Sequence, residues 1–128
     1  MPKKEDITVL LADDEPDILE LVEEEFSFEG YKTLTATCGN DGAELVKDNQ
    51  VDVVISDYKM PNGDGMTILE EVNKIDEAKR PLFFFVSGQS DVSPEQCLAS
   101  GAKKFYTKPF DIEELVGEIA KHLGVEEE

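Results

Sequence analysis

In VISDYKMP, residues 54–61, an apolar run suited to a protein interior ends in an aspartate, and a lysine, a methionine and a proline follow. The run VDVVIS (51–56) reads as a buried strand, and Asp57 stands at its tip. Similar segments lie on either side. ITVLLA (7–12) is continuously apolar, the mark of a strand covered on both faces. LFFFVS (82–87) is the most strongly β-forming, while TLTAT (33–37) and KFYT (104–107) are shorter or more polar. Between these runs the period changes to that of a helix. Pro16 suits a first helical position, and Ile18, Leu19, Val22 and Phe26 follow at helical spacing before Gly30 stops the helix. NDGAELVKD (40–48) reads as a short helix, and Ile68, Leu69, Val72 and Ile75 mark another. SPEQ (93–96) carries a capping pattern with Ser93 as cap, and Gly101 closes that helix. Asp111 caps the last, whose apolar face holds Ile112, Leu115, Val116, Ile119 and Leu123. Five strand–helix pairs with short connections predict an α/β fold, a parallel sheet with helices on both faces.

The chain of 128 residues is expected to form one domain, 1–128, with a core of roughly residues 6–124 and a short acidic tail. Twelve basic against thirty acidic side chains give a net charge of −18, the wrong sign for general binding to nucleic-acid phosphates or an anionic membrane. Much of the excess, at Glu20, Glu23, Glu24, Glu25 and Glu29, reads as a solvated helix face. Cys38 and Cys97 form no C-x-x-C pair and are expected to be reduced thiols. No apolar span reaches the length of a membrane helix, and the start lacks a signal-peptide pattern, so a cytoplasmic location is expected.

In open parallel sheets, ligands gather beyond the carboxyl ends of the strands. Asp13 and Asp14 follow the first strand, Asp57 the third, Ser87 ends the fourth, and Lys108 follows the fifth; the second offers only Gly39 and Asn40. Singly, each has a local explanation: a helix start, a turn, a backbone bond, a solvated lysine. Together, three carboxylates, a hydroxyl and an ammonium form too complementary a set for turn geometry alone. Clustered carboxylates raise one another's pKa unless a cation intervenes, and hard oxygen donors in small number suit Mg²⁺. Phosphoryl transfer needs little more than an in-line nucleophile, a metal and fixed donors, and a carboxylate can itself be the nucleophile. Other motifs fail. GDGMTI (63–68) lacks the third glycine of a dinucleotide loop, no window fits an EF-hand, and His122, the sole histidine, is a helix-end residue without metal-site partners.

DD after the first strand, DYKMP after the third, SG after the fourth and KPF after the fifth resemble the receiver domain of two-component response regulators, over essentially the whole chain. The resemblance implies a doubly wound, flavodoxin-like sheet of strand order 2-1-3-4-5. It makes Asp57 the phosphoacceptor for a sensor histidine kinase or histidine phosphotransfer protein, and an unidentified target protein the reader of the phosphorylated surface. Asp14, Asp57 and the backbone carbonyl of Lys59 would ligate Mg²⁺ (Mn²⁺ as a substitute), with Asp13 reaching the ion directly or through water. Lys108 and Ser87 would contact phosphoryl oxygens, Gly88 would leave room beside Ser87, and the Lys108–Pro109 peptide would be cis. Lys59 and Gln89 sit where side chains tune phosphoryl lifetime. Tyr106 matches a switch position, though a strand aromatic packed on its neighbours needs no such role.

The module would be regulatory, assisting its own phosphorylation and slow dephosphorylation. Alternatives are a phosphorelay or phosphate-sink receiver from a larger regulator or hybrid kinase, a phosphorylation-independent interaction module, and an aspartate-nucleophile phosphohydrolase. The last commonly places a second acid two residues after the nucleophile, where this chain has Lys59. No output domain is expected after Leu123, and the arginine-free last helix does not suggest a salt-bridged dimer.

Overall fold

Strand β3 (Val53–Asp57) lies at the centre of a five-stranded sheet, and every residue of it is buried. In this computed structural model, which describes residues 3–88, 94–108 and 111–125, the sheet order is β2-β1-β3-β4-β5 and every pairing is parallel. The other strands are β1 (Thr8–Ala12), β2 (Lys32–Ala36), β4 (Leu82–Ser87) and β5 (Lys104–Thr107). Helices α1 (Pro16–Phe28), α2 (Gly39–Asp48), α3 (Gly65–Asn73), α4 (Pro94–Ala99) and α5 (Ile112–Leu123) alternate with them. The α/β class and the order implied by the resemblance are those observed.

The unbroken apolar runs result from the two-sided cover. Val9, Leu11, Val53, Ile55, Phe84 and Val86 face one core with α1 and α5, where Leu19, Val22, Phe26, Leu115 and Ile119 meet them. Their alternates Leu10, Val54, Phe83 and Phe85 face a second core with Val46, Ile68, Leu69, Val72 and Cys97 from α2, α3 and α4. The edge strands β2 and β5 are covered less, which is why their sequences are more polar. Both cysteines are free and buried. Among the described residues no helix is long and apolar enough to cross a membrane.

Boundaries differ from the sequence reading in small ways that have causes. β1 starts at Thr8 because Ile7 closes a 3₁₀ turn, Lys4–Asp6. β3 starts at Val53 because Asp52 turns aside, its Oδ2 accepting from the Thr8 amide at 2.8 Å. Asp57 is the last residue of β3 rather than the first beyond it. β2 is Lys32–Ala36, one residue earlier than expected, and Ile75 lies past the end of α3. Asp111 caps α5 by accepting from Glu114 N at 3.1 Å. The expected cap Ser93 falls outside the described residues.

Helix α2 is locked to the loop after β3. It begins at Gly39, a residue earlier than expected, and its first amides bond across: Gly39 N to Gly63 O at 2.8 Å and Asn40 N to Asn62 O at 3.0 Å. A Cβ on Gly39 would lie 2.4 Å from the Gly63 and Asp64 backbone, so only glycine fits. Asn62 and Gly63 take the positive φ values, 51° and 89°, that let the loop turn there.

The two-sided core sets the first prediction. Phe84 is fully buried while Phe28 on α1 is 84% exposed. Phe84→Ala is expected to cost about 3–5 kcal/mol in urea denaturation. Phe28→Ala should stay within about 0.5 kcal/mol.

Candidate functional site

The carboxyl ends of β1, β3, β4 and β5 meet along one rim of the sheet, and buried polar side chains collect there. Asp13 is 5% exposed, Asp57 6% and Ser87 1%, the latter two ending their strands. Buried polar groups at these points require partners. The Asp57 carbonyl accepts from Ser56 Oγ at 2.8 Å, and Gly65 packs so close that a Cβ there would lie 2.5 Å from the same oxygen. Asp13 receives at Oδ1 the amide of Glu15, 2.8 Å away, and so also serves the turn into α1.

Lys108 joins the rim together. Its amide donates to Ser87 O at 2.9 Å, which fixes the chain beyond β5. Its Nζ then reaches Asp13 Oδ2 at 2.9 Å, Asp57 Oδ2 at 3.0 Å and Glu15 Oε1 at 3.2 Å. These residues are up to 95 positions apart along the chain. The oxygens that Asp13, Asp14, Glu15 and Asp57 can offer lie within 4.8 Å of one another, with Asp14 and Glu15 exposed. The Lys108 ammonium thus contacts three of these four carboxylates. Such hard oxygen donors, with excess negative charge and an open side, fit a divalent cation of the Mg²⁺ type.

Burial pushes the Asp57 carboxyl above its ordinary pKa; the Lys108 hydrogen bond and charge pull it back, and Asp13 and Asp14 raise it again. Burial alone would lower the Lys108 pKa, but its hydrogen bonds to Asp13 and Asp57 hold it above the usual value.

The sequence-selected Asp13, Asp14, Asp57 and Lys108 are therefore assembled, and Ser87 sits at the end of β4, in register with Thr107. Gly88 lies beside Lys108, where an added Cβ would make only ordinary contact at 3.6 Å, so space alone does not demand glycine. Lys59 is exposed in the loop after Asp57. Tyr106 is half-buried against Phe84, ring centroids 6.2 Å apart, with Lys104 Nζ 5.2 Å from its own ring centre. Burial, and then the nearby Glu118 carboxylate, raise its phenol pKa, although the hydroxyl is buried without a hydrogen bond of good geometry among the described residues. His122 packs on Phe84 at 5.4 Å, away from the rim residues, as a helix-end residue should. Gln89 and Pro109, and with it the expected cis peptide, fall outside the described residues. The sequence reading missed Glu15. Its signal was the third acid of the run DDE, which was indistinguishable from a helix start.

The response regulator receiver domain family model matches residues 9–120. The chain belongs to this family. This receiver is 29% identical to the receiver domain of the Francisella response regulator 1452, with a TM-score of 0.79 and coverage of 90% of this chain and 94% of that one. A CheY-like receiver domain protein from Methanospirillum hungatei is 25% identical, with a TM-score of 0.82 and coverage of 92% and 94%. A third neighbour, from a CheX-CheY-BeF₃-Mg²⁺ complex of Borrelia burgdorferi, is 27% identical, with a TM-score of 0.79 and coverage of 91% and 89%. Receiver domains are regulatory modules of two-component signalling, and they bind Mg²⁺ at an acidic site of the kind this receiver builds.

The raised Asp57 pKa has a consequence for stability. The folded receiver holds this proton more tightly than the unfolded chain, so stability falls as pH rises from the unfolded value through the folded one. Above that window the ionised group costs stability in full. Asp57→Asn is expected to raise the urea midpoint at pH 7 in EDTA. The gain should vanish below the ordinary aspartate pKa of about 3.9. An unchanged or lower midpoint at pH 7 would contradict the electrostatic account.

Proposed function

We propose that this receiver accepts a phosphoryl group on Asp57 from the phosphohistidine of a sensor histidine kinase or histidine phosphotransfer protein, in a Mg²⁺-dependent reaction. The observation that carries the reading is Lys108 Nζ standing 3.0 Å from Asp57 Oδ2 inside a rim of carboxylates. An Asp57 oxygen attacks phosphorus, the P–N bond breaks, and the imidazole nitrogen leaves with the electron pair. Lys108 takes a phosphoryl oxygen as charge redistributes, and the Ser87 hydroxyl donates to another.

Asp14, Asp57 and the Lys59 carbonyl would hold the ion, with Asp13 direct or through water and Mn²⁺ as a substitute. When bound, the ion neutralises charge on the phosphoryl oxygens and on the acids that burial has crowded together. The Borrelia neighbour, whose complex contains Mg²⁺ and BeF₃, supports this reading. Gly88 leaves open the approach beside Ser87, and Lys59 and Gln89 set how readily water reaches the acyl phosphate. As Ser87 moves to the phosphoryl group, Tyr106 turns further inward, and the altered surface of β4 and β5 is presented to a target protein.

Under this reading the protein works in the cytoplasm, where such donors present their phosphohistidines. A phosphorelay or phosphate-sink role uses the same site. The phosphohydrolase reading is disfavoured because Lys59, two residues beyond the nucleophile, cannot protonate a leaving group as a carboxylic acid would.

Incubation with Mg²⁺ and a small phosphodonor such as acetyl phosphate, with peptide mass spectrometry as the readout, is expected to find the phosphate on Asp57. EDTA or Asp57→Asn should abolish it, and Lys108→Ala should slow labelling by about 10²-fold or more. Phosphate on another residue, or labelling indifferent to Mg²⁺, would refute the assignment.

A further inference from the structure

An ammonium has three N–H donors, and at Lys108 three carboxylates stand ready for them. The contacts are Asp13 at 2.9 Å, Asp57 at 3.0 Å and Glu15 at 3.2 Å. The three partners are not equally held. The side chains of Asp13 and Asp57 are 7% and 9% exposed, while that of Glu15 is 57% exposed. Asp13 is tied at both oxygens, by the Glu15 amide and by Lys108, and Asp57 is the rigid end of a buried strand. A new anion that needs an N–H from Lys108 must displace one of these. Glu15, with the longest contact, a long side chain and water at hand, is the partner released most easily.

We propose that Glu15 is a built-in stand-in anion: it holds the outer N–H of Lys108 in the unphosphorylated receiver and yields it to a phosphoryl oxygen. The role rests on the phosphoacceptor reading and adds to it a residue that sets phosphoryl affinity by competition. Glu15 keeps the ammonium aimed at the rim before the phosphoryl group arrives, and each phosphoryl group that docks must first displace it. On this account Glu15 opposes the anion and contributes little to holding the cation.

Beryllofluoride, an inert phosphoryl mimic, separates these effects when titrated with Mg²⁺ into the full chain and monitored by amide NMR. Glu15→Gln, which keeps shape and removes charge, is expected to bind beryllofluoride about two- to fivefold tighter, the scale of an exposed ion pair. Its affinity for Mg²⁺ alone should fall by less than about fivefold, the scale of one exposed charge among several. Asp17→Asn removes an equal charge two residues on, in the first turn of α1, where no ion pair or hydrogen bond to Lys108 is seen among the described residues, and should alter neither affinity. Unchanged beryllofluoride binding in Glu15→Gln would overturn the proposal. So would an equal gain in Asp17→Asn, which would make the effect a general field. A loss of Mg²⁺ affinity beyond about fivefold in Glu15→Gln would make Glu15 a ligand of the ion instead, which also overturns it. Wild-type protein that takes up no beryllofluoride at all would fail the phosphoacceptor reading itself, a result distinct from the others.

Discussion

A carboxylate at the tip of a strand buried on both faces is costly unless something compensates it, and much of this structure serves that compensation. β3 delivers Asp57 into a place where burial opposes its charge, and Lys108 from the far side of the sheet meets it. That meeting needs a parallel sheet, because only then do the ends of β1, β3, β4 and β5 share a rim. It also needs the chain beyond β5 held close, which the bond from Lys108 N to Ser87 O provides. Lys108 meets three of the four clustered acids, and so dense a set of carboxylates gives the rim an appetite for a divalent cation.

Support for the rim differs from one side to the other. On the β1–β3 side, helix α2 grips the loop beyond Asp57, through backbone bonds that tolerate no side chain at Gly39. On the β4–β5 side, Tyr106 leans on Phe84 with Lys104 over its ring, and Lys104 also pairs with Glu118 of α5 at 2.8 Å. Beyond the bond from Lys108 N to Ser87 O, those latter contacts are side-chain contacts at an edge strand, softer than a backbone lock. A receiver that changes its surface in response to a group on Asp57 would use the softer side.

The central strands were legible because burial on both faces leaves an apolar run with no periodicity to misread. The edge strands and the helix starts were less so, and even at the central strand a local partner moved the boundary, with Asp52 turning to the Thr8 amide. At the rim, Asp13, Asp14, Asp57 and Lys108 could be picked out as strand-exit residues of complementary chemistry. The Glu15 contact could not, since an acid before Pro16 already has a sufficient reason to be there in the helix it precedes. The grip of Gly39 on Gly63 was equally hidden, because it joins a helix start to a loop distant in sequence through atoms that every residue has. Tyr106 stood open between two readings, and the structure packs its ring on Phe84.

That backbone grip has a bearing on what the rim attracts. The start of a helix is a ready site for an anion, since its amides point outward with partial positive charge. At α2 those vacancies are filled from within, since the Gly63 and Asn62 carbonyls cover its first two amides. An anion drawn to this edge therefore finds the mouth of α2 stoppered, and meets the lysine instead, beside the acid that the central strand holds out.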